Sequence, residues 1–208
     1  MADIPDEAIT RVLRDYGVAA TPALCLAIQK YISVLLRWNE KIALTAITGP
    51  LDIVRFHFGE SMFGASAVPI KEGRLADVGT GAGFPGLPLK LLLPSLDLVL
   101  IESNAKKASF LSECVRELNL SGVEVYRGRF EDIRLKDTGF DFITARALGG
   151  YSELVTWSRS QLNPGGALVL WLGERDATGI RRASSLNWRA PAPITGSDRR
   201  VILIGTQA

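Results

Sequence analysis

Residues 75 to 86 read Leu-Ala-Asp-Val-Gly-Thr-Gly-Ala-Gly-Phe-Pro-Gly, and a run of this kind restricts what the chain around it can fold into. An apolar stretch passes through Asp77 and Val78, and four glycines follow within eight positions. Leu87, Leu89, Leu91, Leu92 and Leu93 then give an apolar face before Pro94 ends it. Glycine tolerates positive φ and lets another molecule approach the backbone closely. A helix N-terminus adds free N–H groups and positive partial charge, and Pro85 suits the first helical turn. The expectation is a strand over 74–79, a glycine turn, and a helix over 85–93. An ordinary strand-to-helix turn is the plain alternative. The density of glycines favours a nucleotide-like ligand.

The rest of the chain repeats that unit. Strands are expected at 98–101, 123–126, 140–144 and 167–172, with helices over 105–118, 151–162 and 174–186 between or after them, and two short strands close the chain. Alternation of this kind implies right-handed crossovers and a parallel sheet, with ligands at the carboxyl ends of the strands. The turn Gly79–Gly86, Glu102, the segment Arg127–Asp132 and Arg146 then surround one cleft. Upstream, helices are expected over 3–16, from Thr21-Pro22 through Trp38, and over 51–68. The domain division is a helical N-terminal extension, 1–50, and a main domain, 51–208.

Gly81, Gly83 and Gly86 match G-x-G-x-x-G, and Glu102 lies near the spacing of a ribose-binding acid, so an NAD oxidoreductase is one reading. Three features point elsewhere. Asp77 precedes the first glycine by two positions, which resembles motif I of the S-adenosylmethionine (SAM) methyltransferases. Asn163-Pro164-Gly165-Gly166 resembles the Pro-Gly-Gly loop of that class, and the two closing strands resemble the antiparallel end of its sheet. The fold class expected is therefore α/β, a class I SAM-methyltransferase (Rossmann-like) mostly parallel sheet with helices on both faces.

Charge sharpens the partner question. Lys and Arg total 24 against 22 Asp and Glu, a net charge of +2, so a nucleic acid would have to meet a local patch. Candidates near the cleft are Lys106, Lys107, Arg127, Arg129, Arg134 and Arg146. Arg146, just past strand four, could grip a phosphate bidentately or form an ordinary salt bridge. Arg181, Arg182, Arg199 and Arg200 read as solvated faces. His57 is the only histidine, and no cysteine lies at ligand spacing, so no metal is expected. Cys25 and Cys114 read as small buried apolar groups, a usage that fits the cytoplasm. No apolar stretch is long enough for a membrane span, and Asp3, Asp6 and Glu7 do not suit a signal peptide. Nothing in the sequence demands more than a monomer.

Glu102 is suited to accept hydrogen bonds from both ribose hydroxyls. Asp77 would orient the glycine turn or face the positive end of SAM. Glu131 and Asp132 suit an adenine-side contact or a helix N-terminus. After strand four stands Thr144-Ala145-Arg146-Ala147 rather than an Asn-Pro-Pro-Tyr-type loop. That favours an acceptor needing no deprotonation, such as a ring nitrogen with a free lone pair, and catalysis by positioning.

These residues together resemble the small-subunit ribosomal RNA guanine-N7 methyltransferases, the glucose-inhibited division protein B (GidB-like) family. Trp38-Asn39 with Ala43-Leu44-Thr45 resembles the family's Trp-Asn and Asn-Leu-Thr. Arg55 with His57-Phe58-Gly59-Glu60-Ser61 resembles Arg-His-x-x-Asp-Ser, with one residue inserted. The turn 77–86 matches closely, Pro85-Gly86 being its most family-specific part. Glu102-Ser103, Lys106-Lys107 through Phe110-Leu111, Gly128-Arg129 with Glu131, and Ala145-Arg146-Ala147 match further motifs. Two positions depart: Ala43 for the second asparagine, and Leu172-Gly173 for Lys-Gly after strand five.

The resemblance implies methyl transfer from SAM to N7 of one guanine in the 530 loop of 16S rRNA, with 16S rRNA or the small ribosomal subunit as partner. The cofactor contacts it implies are Asp77, Gly79, Thr80, Gly81, Gly83, Phe84, Pro85, Gly86, Glu102, Ser103, Arg129, Phe130, Glu131, Asp132 and Arg146. His57, Glu60, Ser61 and Arg146 would stand at the reaction centre, lining the pocket mouth. Lys106, Lys107, Arg146 and Arg175 would hold RNA, Arg175 replacing the charge missing at Leu172. Methylation of another RNA or a small molecule, and a catalytically impaired SAM-binding assembly protein, are the alternatives.

Overall fold

The computed structural model describes residues 4–68, 70–133, 139–183, 186–197 and 199–207. Helices α1 (Asp6–Arg14) and α2 (Pro22–Asn39) come first. The Thr21 hydroxyl accepts the Leu24 N–H at 3.2 Å, and Pro22 occupies a first-turn position where its missing N–H costs nothing. Leu24, Ile28, Tyr31, Ile32 and Leu35 form the buried stripe of α2.

The helix expected over 51–68 is three joined segments: α3 (Pro50–Ile53), a π-helical stretch Val54–Gly59, and α4 (Glu60–Ala67). A π turn takes in more residues than an α turn, so the apolar phase slips along it. Val54, Phe58, Gly59, Glu60, Ser61 and Met62 are all buried as a result. A single 3.6-residue period does not reveal such a slip.

The main unit follows as β1 (Gly73–Val78), α5 (Gly86–Leu92), β2 (Leu96–Glu102), α6 (Ala105–Glu117), β3 (Val123–Arg127), β4 (Phe140–Arg146), α7 (Tyr151–Gln161), β5 (Leu162–Gly173), α8 (Glu174–Ala183), β6 (Asn187–Trp188), β7 (Ala192–Pro193) and β8 (Arg200–Thr206). Among the described residues these make one sheet in the order β3-β2-β1-β4-β5-β8-β6, with β7 also on β8. Strands β1 to β5 are parallel, and β8 is antiparallel to β5. Two apolar layers flank the sheet. One joins α1, α2, the segment 53–62, α5 and α6, and the other lies under α7 and α8.

Two local expectations change. Asn163-Pro164-Gly165-Gly166 is drawn into β5, which starts at Leu162 opposite Phe140. The register shifts between Phe140 and Phe142, and Gly165 takes φ 80°, so the extra residues are absorbed as an irregularity. Helix α7 ends at Gln161 to make room.

Register decides where the chemistry collects. Val78 is level with Ile101 of β2 on one side and with Ala145 of β4 on the other. The next residues along, Gly79, Glu102 and Arg146, therefore leave the sheet side by side. Strand order runs opposite ways from β1, toward β2 and toward β4, and this switch point is where ligands enter open α/β sheets.

Candidate active site

Asp77 organises the turn after β1. Its carboxylate is fully buried; Oδ2 accepts the Gly86 N–H at 2.9 Å and Oδ1 accepts the Thr144 hydroxyl at 2.9 Å. One side chain thus fixes the start of α5 and ties β1 to β4. Burial pushes its pKa up to about 6, despite these hydrogen bonds and the charge of Arg146. A Cβ on Gly86 would lie 2.8 Å from both Asp77 Oδ2 and Leu100 Cδ2, so glycine is needed there. Gly81 has φ 58°, and a Cβ on it would meet only the Gly79 carbonyl at 3.9 Å. The turn is packed beneath Gly86 and open above Gly81.

Glu102 closes the other side. Its Oε2 accepts the Gly81 N–H at 3.0 Å and its Oε1 accepts the Asn104 N–H at 2.7 Å. A carboxylate has further lone pairs for a ligand. A cavity of about 450 Å³ opens over these strand ends, lined by Gly79, Ile101, Ser103, Gly128, Arg129, Phe130, Glu131, Leu148, Gly149, Gly150 and Glu153. Its size suits a nucleoside-sized ligand. Arg129 pairs with Glu131 at 2.8 Å on its rim. Thr80, Phe84 and Pro85 are buried behind the turn, and Asp132 is exposed outside the lining.

The N-terminal helices support the turn from behind. The Tyr31 hydroxyl donates to the Ala82 carbonyl, and the Tyr31 ring meets Phe58 and Phe84 at centroid distances of 5.2 and 5.5 Å. Asn39 Oδ1 accepts the N–H groups of Leu44 and Thr45 at 2.9 and 3.0 Å, while its Nδ2 donates to the Thr45 carbonyl at 3.0 Å. This brings Thr45 Oγ1 to 2.8 Å from His57 Nε2. The imidazole stacks on Phe84 at 4.6 Å. Burial, then the charges of Arg146 and Arg200, lower the His57 pKa to about 4, so the ring is neutral near pH 7. Trp38 donates from Nε1 to Glu113 at 3.0 Å and takes no part in the cleft.

Beyond β4 stands a buried charge cluster. Glu60 is 1 % exposed. Arg146 Nη2 donates to the Phe56 carbonyl at 2.8 Å and to Glu60 Oε2 at 3.2 Å. Arg200, at the start of β8, reaches Glu60 with Nη1 on Oε2 at 2.9 Å and Nη2 on Oε1 at 2.8 Å. Its guanidinium also lies over the Phe56 ring at 5.6 Å. Burial raises the Glu60 pKa and the two arginines oppose it.

Several expected positions need correction. Glu60 and Ser61 do not line the pocket mouth: both are buried, and Ser61 donates its hydroxyl to the His57 carbonyl at 2.5 Å. The slipped phase of the π-helical stretch turns them inward. Arg200, expected as a solvated face, belongs to the cluster because an antiparallel strand beside β5 begins at the edge where parallel strands end. Arg175 is exposed on α8, and Leu172 packs in the core beneath it. Lys106 and Lys107 occupy the first turn of α6, which Asn104 caps. Arg134 lies outside the described residues. Tyr31 and Arg200 are the site residues that pattern reading missed; the first looked like core, the second like surface. Among the described residues no group of three or more His, Cys, Asp or Glu could hold a metal, and no helix is long and apolar enough to cross a membrane.

The sheet order, the glycine turn and the acid ending β2 define a class I SAM-methyltransferase fold. Solved structures agree: a putative O-methyltransferase from Klebsiella pneumoniae superposes with TM-score 0.63 at 16 % identity, covering 97 % of each chain. A ribosomal protein L11 methylase from Lactobacillus delbrueckii superposes at 0.61 and 19 % identity, over 74 % of this chain and 79 % of that one. The family model described as GidB, rRNA small subunit methyltransferase G, matches residues 25–188, and the chain belongs to that family. Ribosomal RNA small subunit methyltransferase G of Desulfitobacterium hafniense is 42 % identical over 149 residues, 70 % of this chain and 61 % of that protein. The Leuconostoc citreum protein of the same name is 37 % identical over 173 residues, 80 % of this chain and 72 % of that protein. The chain thus spans about three fifths of the Desulfitobacterium protein's length.

Proposed function

We propose that the protein transfers a methyl group from SAM to N7 of one guanine in the 530 loop of 16S rRNA. The observation that carries this reading is the pairing of two half-sites at one sheet edge. The cavity over Gly79, Gly81 and Glu102 fits an adenosyl group, and the cluster after β4 offers a guanidinium beside it. Family membership and the printed names of the relatives support the substrate class. SAM supplies a methyl group already activated by its positively charged sulfur.

The chain's own residues then bind and orient. Glu102 accepts hydrogen bonds from a ribose while holding Gly81, and Ser103, Phe130 and the Arg129–Glu131 pair border the adenine side. Asp77 keeps the turn in shape from below. Guanine N7 carries a lone pair, so no general base is required. The neutral His57 neither protonates that lone pair nor places a second full charge beside a forming cation. Rate comes from presenting two reactants in line. Lys106, Lys107, Arg146 and Arg175 are the proposed RNA contacts, and the proposed setting is the cytoplasm.

The test is methyl-labelled SAM with small subunits, or their rRNA, from a strain lacking the modification, followed by mapping of the label. Label at one guanine N7 in the 530 loop is the expected result. Cofactor binding without label would replace this reading with that of a SAM-binding assembly protein, and label on a different RNA would retarget it.

A further inference from the structure

The Glu60 cluster divides its hydrogen bonds unequally. Arg200 takes both carboxylate oxygens in a fork, at 2.9 and 2.8 Å. Arg146, the more buried of the two, with 16 % of its side chain exposed against 41 %, receives only one contact from Glu60, at 3.2 Å. The other guanidinium nitrogen of Arg146, Nη1, is buried and has no hydrogen-bond partner. His57 Nδ1 is buried and unpartnered as well.

Two unsatisfied polar atoms beside one neighbouring carboxylate are unusual, because an orphaned buried N–H forfeits a hydrogen bond it could have made. Glu60 could satisfy Arg146 by turning its two oxygens onto that guanidinium, the geometry arginine and carboxylate favour. The fork to Arg200 prevents this. The backbone also fixes the alternatives: Arg146 Nη2 is shared with the Phe56 carbonyl at 2.8 Å, at the π-helical stretch, so the guanidinium edge bearing Nη1 is the one left over.

We propose that Arg200 is a positioning residue: by chelating Glu60 it keeps Arg146 Nη1 free as the hydrogen-bond donor for the acceptor base. The group this donor recognises is the carbonyl edge of a purine, where an oxygen lies beside the ring nitrogen to be methylated. Guanine presents that acceptor pair and adenine presents an amino group instead. The inference rests on the methyl-transfer reading above for the identity of the ligand, and on the cluster geometry alone for the role of Arg200.

Replacing Arg200 releases Glu60, which then forks onto Arg146 and occupies the donor. The variant R200A should therefore keep its SAM affinity and lose methylation, on the order of tenfold to a hundredfold in kcat/KM toward the RNA. Adding E60Q should recover a large part of the loss, because a neutral amide does not capture the guanidinium as a carboxylate does. A purely structural role for Arg200 predicts the opposite: the double variant would be as poor as R200A or poorer. R200K keeps the charge without the fork and should fall between the parent and R200A. If R200A does not fold, the comparison of R200K with R200K/E60Q carries the same test.

A crystal structure of the variant separates the two readings. Glu60 bidentate on Arg146 in R200A supports the positioning role even where the parent protein fails to methylate rRNA, which would overturn only the substrate. Glu60 unmoved in R200A, or no recovery on adding E60Q while the parent is active, would overturn the inference.

Discussion

Asp77 offers the sharpest quantitative test of how this site is built. Its carboxylate is fully buried, and burial lifts its pKa from an ordinary 3.8 to about 6. Each pH unit between the two values is worth about 1.4 kcal/mol. Ionising Asp77 in the folded protein therefore costs roughly 3 kcal/mol of stability by pH 7. The sign follows from proton binding. Between pH 4 and 6 the native state holds a proton the unfolded state has lost, so this contribution is full below pH 4 and disappears above 6. Asparagine removes the titration and keeps the shape. Its Oδ1 can accept the Gly86 N–H, its Nδ2 can donate to Thr144 Oγ1, and that hydroxyl can turn to the Ala76 carbonyl, now 3.3 Å away. The stability of D77N relative to the parent should then rise by about 3 kcal/mol from pH 4 to pH 7. Urea unfolding of both proteins at pH 4, 5, 6 and 7 measures this directly, since every other titrating group cancels in the difference. Parallel curves would refute the argument that Asp77 is ionised at a cost to hold the turn.

Other residues allow shorter tests. G86A places a Cβ 2.8 Å from Asp77 and Leu100, and should destabilise by about 1–3 kcal/mol in thermal or urea unfolding. G81A points into open space, so it should cost only the strain of its left-handed backbone, about 1–2 kcal/mol, while weakening SAM binding in calorimetry. Y31F leaves the aromatic packing in place but orphans the Ala82 carbonyl; it should cost about 1–3 kcal/mol and lower SAM affinity. His57, with its pKa near 4, should impose no inflection on methylation between pH 6 and 8; an inflection there that H57N abolishes would show the ring to be charged in the active protein.

Much of the cofactor half was legible because it is local. Asp77, the glycines, Glu102 and the segment around Arg129 each stand within a few residues of the strand end that aims them, and strand alternation alone places those ends along one edge. The acceptor half was not legible in this way. Glu60 and Ser61 sit on a segment whose π turns break the periodicity that would assign a face. Tyr31 belongs to an ordinary buried stripe until the fold carries its hydroxyl to Ala82, 51 residues on. Arg200 looks like one of several charges near the C-terminus. Only the pairing of β8 against β5, with Arg200 opposite Gly173, shows that its side chain starts at the cleft edge.

That contrast has a physical consequence for how the site is assembled. The turn over β1, α5 and β2 uses bonds between residues 77, 81, 86, 102 and 104, all within one βαβ unit. The cluster of Glu60, Arg146 and Arg200 spans 140 residues and requires the N-terminal helices, β4 and β8 to be in place together. A buried carboxylate between two guanidiniums is stable only when both are present, because an uncompensated buried charge is strongly unfavourable. The acceptor side therefore depends on tertiary assembly in a way the cofactor side does not. Loosening β8 at a distance, for example by trimming Gly205 and Thr206 from their pairing with Leu168 and Ala167, should impair methyl transfer sooner than it impairs SAM binding. Titration of SAM alongside single-turnover methylation reads the two separately. Equal losses in both would mean that the two halves of the site form one cooperative unit.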